Sequence, residues 1–564
     1  MPAYALALAL AVAAPLLGPG YLLLRDAVST PRSFLSDTAL GLTSAPRATP
    51  QDFAVALASH VVDGGVVVKV LLVVGLWLAG WGAARLVALV LPRSRRSGQV
   101  VATTLAIWNP YVAERLLQGH WSLLVGYGCL PWVAAAVLGL RSGAGRMRFF
   151  GLALWIAAAG LTPTGLLLAA TVGLVCVGAP GAGVRRGWCA AGVVVCAGAG
   201  ALPWLTAWAL GCSSSLGQAG AVGAFAARAE PGLGTLGSLA GLGGIWNGQA
   251  APPSRTTLFA VLSTAVLLGV VALGLPAAVR RPAAVPLLVL AAVSVLVPAA
   301  AATGPGLDAL RTVVEGVPGL GVVRDGQKWV ALAMPGYAVA GAGAVLTLRR
   351  WLRPAATAAV CCPALILALP DLAWGVWGRV EPAHYPAGWT AVAAMINENP
   401  GSVAVLPAGT MRRFGWSGPA PVVDPLPRWL RAHVLTTGDL TVSGVTIPGE
   451  GTRARAVQGL LLAGAEPVAL AHAGVTWLVV ESGTPGDIGS AAKTLTPLPA
   501  VYRDGGLTLY RIGGHTNGAP ADRRLAVLVA HLVWLALLTG GALGTSVSAW
   551  RHHVRGGPWH DAEN

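Results

Sequence analysis

Charged side chains are scarce in this chain. Of its 564 residues only 11% are Asp, Glu, Lys or Arg, and 55% are hydrophobic. A soluble protein carries about 25% charged residues. The mean hydropathy is +0.67. These values exclude a soluble globular protein and predict a polytopic membrane protein.

Acidic residues are scarcer still. The 22 Asp and Glu residues stand against 38 Lys and Arg, which gives a formal net charge of +16. The basic residues lie between apolar runs and not in one cluster. We therefore predict membrane lipids, through their anionic head groups and phosphates, as partners, and no nucleic acid. The 75 glycines and 40 prolines, with arginine far outnumbering lysine, suggest a GC-rich bacterial genome.

Several familiar catalytic signatures are missing. The sequence has no GxSxG, no P-loop and no GxGxxG after a strand, which disfavours a hydrolase or an ATP-driven transporter. The seven cysteines lack metal-ligand spacing, and nearly all of them fall within apolar segments. A disulfide framework or a zinc site is therefore not predicted.

Long apolar runs fill most of the first 372 residues and return near the end of the chain. A span needs roughly 20 apolar residues. The first run could be a signal peptide, but no basic segment precedes it and it continues through Leu24, so an uncleaved span is preferred. About twelve spans are predicted, near 3–24, 65–92, 98–113, 121–140, 147–162, 164–180, 187–210, 257–278, 283–302, 328–348, 355–372 and 524–549.

The arginines predict the orientation of these spans. Counted from a cytoplasmic N-terminus, every second gap carries an arginine cluster, as cytoplasmic loops do. Only Asp561 and Glu563 among the acids fall on that side, so both termini are predicted to be cytoplasmic. Arg523 and Arg524, just outside the last span, are the main local contradiction. The clusters are Arg93/Arg95/Arg96, Arg141/Arg146/Arg148, Arg185/Arg186, Arg280/Arg281, Arg349/Arg350/Arg353 and Arg551/Arg555.

The longest hydrophilic segments all fall on the opposite, outer face. The predicted fold is therefore a polytopic α-helical membrane protein with an extracytoplasmic α/β domain in its C-terminal half. The predicted division is a multi-span membrane domain over 1–372 with outer loops 25–63, 211–256 and 304–327, an extracytoplasmic domain over 373–523, and a last span with a basic cytoplasmic tail over 524–564.

The outer domain shows alternating strand-like and helix-like patterns. This alternation predicts an α/β fold with a mostly parallel sheet. Two further short strands around Asp504-Gly505-Gly506 predict a hairpin from their turn chemistry. The strand-like segments are 403–406, 475–480, 499–503 and 507–512, and the helix-like segments are 387–397 and 453–464.

Asp26 is the main candidate for a catalytic residue. It stands where the first apolar run meets the outer loop, within reach of water and of a lipid-anchored substrate. A general base that takes a proton from an acceptor hydroxyl requires such a position. The alternative is a structural role at the water interface or in a pair with Arg25. Asp37, Asp52 and Asp63 share the loop, and any of them could replace Asp26 or help to hold a divalent cation.

The segment 108–121 is a polar and aromatic bridge between two spans. One interpretation is an aromatic belt with a Glu114–Arg115 pair at the interface. The other is a short interfacial helix that lines a cavity, with Arg115 or His120 near a phosphate and Trp121 stacked on a sugar. No metal site is predicted here, because His120 has no nearby histidine partner.

A third candidate segment, 318–329, leads directly into a span. It places Arg324, Gln327 and Lys328 about the N-terminus of a helix at the outer face. Unpaired backbone N–H groups and the helix dipole favour an anion there, and a polyprenyl phosphate would suit that position. The alternative is a collar of snorkelling cations, which the same physics allows.

In the predicted outer domain, Asp424, Arg428 and Trp429 are close in sequence. A tryptophan near acids and arginines is a usual surface for sugar rings, so these residues are candidates for binding a glycan. The alternative is a structural role, because tryptophan is also a common core residue.

The stretches NPYVAERLLQGHWSLLVGYGCLPW and PGLGVVRDGQKW resemble those of actinobacterial membrane proteins related to arabinofuranosyl- and mannosyltransferases of cell-envelope assembly. With an acid after the first span, about twelve spans and a C-terminal outer domain, the chain resembles the GT-C superfamily of polyprenyl-phosphate-sugar glycosyltransferases. Many members have paired acids after the first span, whereas this chain has Arg25-Asp26.

With this resemblance, in which the outer-loop acid acts as catalytic base, we predict an inverting glycosyltransferase of the bacterial plasma membrane. The enzyme would move a sugar from a polyprenyl-phosphate donor to a cell-envelope glycan or glycolipid acceptor on the outer face. Asp26 would be the catalytic base, and a nucleotide would not be needed, because a lipid phosphate can leave. The donor phosphate would be held by Arg324 and Lys328, with Gln327, Arg115 and His120 as further candidates.

Two alternatives come from other functional classes. A non-catalytic transporter or flippase of lipid-linked intermediates would place ionisable residues within its spans, whereas these spans are almost free of charge. A scaffold for envelope assembly would need none of the outer acids. The sequence favours the enzyme over both.

Overall fold

Helices dominate the part of the chain that the computed structural model describes, residues 1–43, 48–211, 221–317, 319–442 and 445–555. Asp561, Glu563, Cys212 and Pro318 lie outside these ranges. The helices are α1 (Pro2–Ala13), α2 (Gln51–Ala58), α3 (Gly64–Val90), α4 (Arg95–Ile107), α5 (Pro110–Leu117), α6 (Trp121–Arg141), α7 (Arg148–Ala159), α8 (Pro163–Val177), α9 (Arg186–Leu210), α10 (Gly234–Ala240), α11 (Phe259–Val279), α12 (Val285–Ala301), α13 (Gly304–Gly316), α14 (Ala333–Thr347), α15 (Pro354–Leu367), α16 (Ala373–Gly378), α17 (Ala387–Glu398), α18 (Leu426–Trp429), α19 (Thr452–Ala463), α20 (Pro467–His472), α21 (Ala491–Leu495) and α22 (Ala521–Arg555).

One helix is exceptional, because the backbone of α16 is left-handed over residues 374–377, with φ of 52–63°.

Strands are short and lie mostly in the C-terminal part. The strands are β1 (Tyr21–Leu24), β2 (Ala27–Val28), β3 (Pro382–Ala383), β4 (Ser402–Leu406), β5 (Met411–Arg412), β6 (Val422–Val423), β7 (His433–Val434), β8 (Leu440–Val442), β9 (Val445–Ile447), β10 (Trp477–Glu481), β11 (Ala500–Arg503) and β12 (Leu507–Arg511).

Six helices in the described residues are long and apolar enough to cross a membrane. They are α3, α6, α9, α11, the stretch Gly326–Arg350 around α14, and α22. Two bent pairs raise the number to eight if each pair is one span: α12 with α13, bent by 94°, and α15 with Pro370–Gly378, bent by 72°. Three shorter apolar helices are Pro2–Leu17, Arg148–Ala159 and Pro163–Val177. These helices fit a multi-pass membrane protein, and the number of twelve spans stays a prediction.

The first apolar run is not a single helix, so the prediction of a span over 3–24 is wrong at its C-terminal end. Helix α1 ends at Ala13, a 3-10 turn covers Ala14–Leu17, and the chain then becomes strand β1. Pro15 has no N–H to continue the α-helical ladder, and Gly20 adopts a φ of 105°, which favours glycine.

The α/β region contains a mixed five-stranded sheet in the order β11-β12-β10-β4-β7. Strand β4 pairs in parallel with β10 and β7, but β12 is antiparallel to both β10 and β11. The prediction of a mostly parallel sheet is therefore wrong, because the hairpin joins one side of the sheet. The hairpin itself is confirmed, and its turn is fixed by the Asp504 carboxylate, which accepts hydrogen bonds from the N–H groups of Gly506 and Leu507.

A small sheet connects the start of the chain to this region. Strand β1 pairs with β2 on one side and with β3 on the other, in the order β2-β1-β3. The turn between β1 and β2 is also held, because the Arg25 N–H donates to the Pro421 carbonyl at 2.8 Å and the Val423 N–H donates to the Arg25 carbonyl at 2.9 Å. The Arg25-Asp26 turn thus lies where helical and α/β parts meet.

The two arginines that contradict the charge pattern beside the last span have local partners. Arg524 Nη1 lies 3.3 Å from an Asp37 carboxylate oxygen. Arg523 donates to the Leu210 carbonyl at 3.3 Å. These contacts hold the start of α22 against the loop after β2 and the end of α9, which gives both arginines a structural role.

Candidate active site

Asp26 lies in the two-residue turn between β1 and β2 and contacts the segment after α5. Its Oδ2 accepts hydrogen bonds from Gln118 Nε2 at 2.9 Å and His120 Nε2 at 3.0 Å. The side chain keeps 43% of its surface exposed, and its Oδ1 accepts no hydrogen bond from the described residues. One carboxylate oxygen is therefore held in place, while the other is open to a ligand.

Arg25 does not pair with Asp26 in this turn, so the alternative of a structural Arg25–Asp26 pair does not apply. The Arg25 guanidinium donates to the carbonyls of Leu117 at 2.6 Å and Gln249 at 2.9 Å. The side chain is buried, and its backbone φ is 49°. Arg25 thus fixes the turn from the inside, and the Asp26 carboxylate remains available.

His120 is neutral and its proton lies on Nε2. Its Nδ1 is 3.2 Å from Arg115 Nη1, and because a guanidinium only donates, Nδ1 accepts that hydrogen bond. The Nε2–H group then donates to Asp26. Burial lowers the pKa of His120, and this effect outweighs the contact with Asp26, which raises it. The imidazole therefore orients the Asp26 carboxylate without carrying charge.

Asp26 is ionised at neutral pH. Burial acts to raise the pKa of the carboxyl, but the hydrogen bonds from His120 and Gln118 and the charge of Lys328 together lower it below its ordinary value. An exposed, ionised carboxylate oxygen can take a proton from a hydroxyl group that lies within hydrogen-bond distance.

A buried ion pair supports this site from behind. Arg115 donates to both carboxylate oxygens of Asp325, at 2.9 and 3.0 Å, and has no exposed side-chain surface. Burial acts to raise the pKa of Asp325, but the charges of Arg115 and Lys328 lower it to about 2. Paired, bidentate charges of this kind fix geometry. Arg115 thus has its charge compensated inside the protein and does not line the open side of Asp26.

The predicted Glu114–Arg115 pair is replaced by contacts to other segments. Glu114 accepts hydrogen bonds from the N–H groups of Gly244 and Ile245, at 3.2 and 3.1 Å, and from Gln327 Nε2 at 3.0 Å. Gln327 also accepts a hydrogen bond from Arg115. Segment 110–117 forms a short helix, as one of the two interpretations predicts, and α5 is buried throughout, so an aromatic belt does not describe it.

Lys328 is a half-buried cation near Asp26. Its Nζ is 3.9 Å from Asp325 Oδ2, with 24% of the side chain exposed, and its charge acts on Asp26. Arg324 lies with its guanidinium 4.4 Å from the centroid of the Phe225 ring. Both residues come just before α14. Lys328 lies in the 3-10 stretch that leads into this helix. Lys328, His120 and Asp26 are thus brought together, and Gln327 lies behind them.

Most of the predicted glycan-binding residues are core residues. Trp121 and Trp429 are 2% and 5% exposed, so no ring face is open to a sugar. Asp424 is buried and lies 3.5 Å from Arg412. Arg428 pairs with Asp52 at 3.1 Å. Asp424 and Arg428 therefore do not pair with each other. Each pairs with a charged residue outside the segment 424–429.

The other acids of the first loop each have a separate partner. Asp37 binds Arg524, and Asp52 binds Arg428. Asp63 caps α3 by accepting from the N–H groups of Gly65 and Val66. Across the described ranges no three His, Cys, Asp or Glu side chains come together as a metal ion would require. The first loop therefore presents Asp26 alone to the open site.

Sequence reasoning missed Gln118 and Asp325 as partners of the site. Gln118 also accepts from Asn247 Nδ2 at 2.8 Å, so it joins the Asp26 turn to the segment after α10. Asp325 stands beside Arg324 in the sequence, and an acid next to basic residues was the available signal. Its true partner, Arg115, is distant in the chain.

Gly119 sets the close approach of the Asp26 turn to the end of α5. Its φ is 84°, and a Cβ there would lie 2.3 Å from the Leu24 carbonyl oxygen and 2.4 Å from the Ala27 nitrogen. We expect Gly119→Ala to displace the turn, lower Tm by several degrees, and slow any reaction that depends on Asp26 at least tenfold.

The matched control is Gly145→Ala. Gly145 has a similar φ of 97°, but a Cβ at this position would meet no atom within 4 Å. Gly145→Ala therefore loses only the about 1–2 kcal/mol that a left-handed backbone costs a residue with a side chain, and it causes no clash. Thermal unfolding and activity of both variants distinguish the two effects. If both variants lowered Tm and activity by the same small amount, the close approach of the Asp26 turn to Gly119 would be contradicted.

Known structures share this fold. The cryo-EM structure of the arabinofuranosyltransferase AftD from mycobacteria matches 92% of this chain with a TM-score of 0.60 and 17% sequence identity. A structure of an AftD mutant matches 92% with a TM-score of 0.57 and 19% identity. The chain spans 40% and 42% of the length of those two chains. A scan of protein-family models gives no match, and neither does a search of curated proteins. The predicted resemblance is confirmed at the level of the fold.

Proposed function

We propose that this chain, which shares the fold of mycobacterial AftD, is a membrane glycosyltransferase with a lipid-linked donor. It would move a sugar from a polyprenyl phosphate to a cell-envelope glycan or glycolipid on the outer face of the bacterial plasma membrane. The observation that carries this proposal is the exposed, ionised Asp26 carboxylate, held by His120 and Gln118 beside Lys328.

In this mechanism Asp26 is the general base. Its open carboxylate oxygen takes the proton from the acceptor hydroxyl while the hydroxyl oxygen attacks the anomeric carbon of the donor sugar. The bond from that carbon to the phosphate oxygen breaks, and the polyprenyl phosphate leaves with the electron pair. Attack opposite the leaving group inverts the anomeric configuration.

Lys328 and Arg324 are proposed to hold the donor phosphate. Negative charge grows on the leaving oxygen during the reaction, and a fixed cation stabilises it most in the transition state. Lys328 already lies close enough for its charge to act on Asp26. His120 keeps the carboxylate oriented through its Nε2–H group, and Arg115 and Gln327 support that geometry from the interior.

The proposed orientation has both termini in the cytoplasm, the membrane domain over 1–372 and an extracytoplasmic α/β domain over 373–523. The arginine clusters support it, and so does helix α6. This helix begins directly after His120 and ends at Arg141, so Asp26 and one of the clusters lie at opposite ends of a candidate span.

A transfer assay tests the proposal. The purified chain in lipid nanodiscs is incubated with labelled decaprenyl-phosphate sugars and a glycan acceptor, beginning with arabinofuranose because AftD is an arabinofuranosyltransferase. We expect label to move from lipid to acceptor. Lys328→Met should raise the KM for the donor at least tenfold, because it removes the partly exposed cation near Asp26.

Lys493→Met is the matched control, since Lys493 is an exposed lysine on α21 of the α/β region. It should leave the donor KM unchanged. Bound donor without transfer by the wild-type chain would favour the non-catalytic alternative, and donor crossing a liposome membrane without transfer would identify a flippase. Equal effects of the two lysine variants would remove Lys328 from the donor site.

A further inference from the structure

Four tryptophans form a continuous row across three helices. Trp77 and Trp81 lie on α3, Trp132 on α6 and Trp155 on α7. Successive ring centroids are 4.9, 4.9 and 4.8 Å apart. All four side chains are half-buried, so each keeps part of its ring surface open. Neighbouring rings at these distances attract one another and form one aromatic surface.

We call this aromatic surface of α3, α6 and α7 the tryptophan groove. Helix α6 is buried along most of its length, while α3 and α7 flank it. Trp132 packs directly on α3, because its Nε1 donates to the Leu78 carbonyl at 2.9 Å and a Cβ on Gly82 would lie 2.5 Å from the indole. In the row, Trp132 thus lies between Trp81 and Trp155.

Two arginines stand at one end of the tryptophan groove. Arg85 follows Trp81 by one turn of α3, and Arg148 begins α7 two turns before Trp155. The stem of Arg148 packs on α6 at Gly139, where a Cβ would lie 2.6 Å from it. The charges of the two arginines repel each other. Neither forms a hydrogen bond or ion pair with any described residue.

This end of the groove is far from Asp26. Helix α6 begins beside His120 and has 21 residues, which at 1.5 Å per residue is about 30 Å. A bilayer has a hydrocarbon core of about 30 Å. Arg85 and Arg148 therefore lie at the level of the head groups of the leaflet opposite the active site.

We propose that the tryptophan groove binds one anionic phospholipid of that leaflet. Arg85 and Arg148 bind the phosphate, because the fork of N–H donors on a guanidinium group matches phosphate geometry. The indole rings lie deeper, because Trp132 is near the middle of α6, and they contact the acyl chains below the head group. This lipid is separate from the sugar donor, and its site does not depend on the proposed transfer.

The test is lipid retention by the intact chain. Detergent-purified, delipidated protein is titrated with dioleoyl phosphatidylglycerol or dioleoyl phosphatidylcholine, and bound lipid is counted by native mass spectrometry. We expect one retained phosphatidylglycerol per wild-type chain. Since each basic residue near a head group contributes about fivefold in affinity, the Arg85→Gln/Arg148→Gln variant should lose about 25-fold.

The matched control is Arg280→Gln/Arg281→Gln, a neighbouring arginine pair at the end of α11, in another of the predicted cytoplasmic clusters. It should bind phosphatidylglycerol within twofold of the wild-type chain. An equal loss in the control would show non-specific attraction and overturn the site. Equal retention of phosphatidylcholine by the wild-type chain, or no loss in the Arg85→Gln/Arg148→Gln variant, would overturn it as well.

A second test variant and its control change tryptophans and leave every charged side chain in place. Trp81→Leu/Trp155→Leu should weaken phosphatidylglycerol retention about tenfold, since it removes the two indole rings on either side of Trp132. Trp188→Leu is its control, because Trp188 is 67% exposed on α9 and lies outside the row. Wild-type retention by the Trp81→Leu/Trp155→Leu variant would overturn the proposal even if the arginine variant failed to fold.

Discussion

Asp26→Asn is expected to slow sugar transfer by about 10²- to 10⁴-fold, the usual contribution of a positioned general base. Asparagine cannot take the proton of the acceptor hydroxyl. It has nearly the same shape, and its Oδ1 can still accept hydrogen bonds from His120 and Gln118, so the fold should persist. The loss should therefore appear in kcat, with donor binding close to that of the wild-type chain.

The pH dependence of transfer follows from the same contacts. The pKa of Asp26 is held below its ordinary value, and that of His120 also lies below its ordinary value of about 6.5. We expect kcat/KM to be constant between about pH 7 and 8 and to fall only at lower pH, as His120 becomes protonated. A protonated Nδ1 would face Arg115 and break the contact that orients the ring.

Asp308→Asn is the control for Asp26→Asn. Asp308 is another outer-loop acid in the predicted topology, and its side chain is 74% exposed and forms an ion pair with Arg311. The Asp308→Asn protein should transfer sugar at the wild-type rate. Full activity of a normally folded Asp26→Asn protein would refute the base assignment, and an acid limb of kcat/KM with its midpoint above about 6.5, the ordinary pKa of histidine, would refute the role given to neutral His120.

The second large effect is expected from Arg115→Met. This change leaves the Asp325 carboxylate buried with Lys328 at 3.9 Å as its remaining cation. Removing one partner of a buried ion pair costs about 3–5 kcal/mol. We expect a large fall in Tm and loss of transfer, because His120 also loses the donor that fixes its Nδ1.

A double variant separates stability from function. Arg115→Met/Asp325→Leu removes both buried charges, and well-packed apolar pairs often replace buried ion pairs without loss of stability. We expect most of the Tm to return, while transfer stays low. Arg311→Met, which breaks the exposed pair with Asp308, should change stability by less than about 1 kcal/mol. A wild-type Tm for Arg115→Met would contradict the supporting role of the pair.

The sequence was most informative where the signal is local. The hairpin around Asp504 was predicted from turn chemistry, and the helices from apolar runs. Asp26 and His120 were singled out on separate grounds, one for its place after an apolar run and the other in a polar bridge. Their direct contact was not predicted, because nothing in a single sequence states which two loops meet.

Burial was the part that the sequence predicted poorly. Arg115 was expected near a phosphate, yet it is enclosed by Asp325, which lies 210 residues away. Trp121 was expected on a sugar and Trp429 on a glycan, but both pack inside the protein. Polar and aromatic neighbours in sequence are common to a binding surface and to a buried network. Only the tertiary contacts separate the two.

The strand pairing at the start of the chain has a consequence for biogenesis. The Arg25-Asp26 turn is made early, but its partners at Pro421 and Val423 are translated about 400 residues later. At 5–20 residues per second this is a delay of about 20–80 s. During that time most of the membrane helices are synthesised, while the turn still lacks the backbone groups that it pairs with. The turn that carries Asp26 is thus the first part of its site to be synthesised, and the groups that pair with its Arg25 backbone are synthesised last.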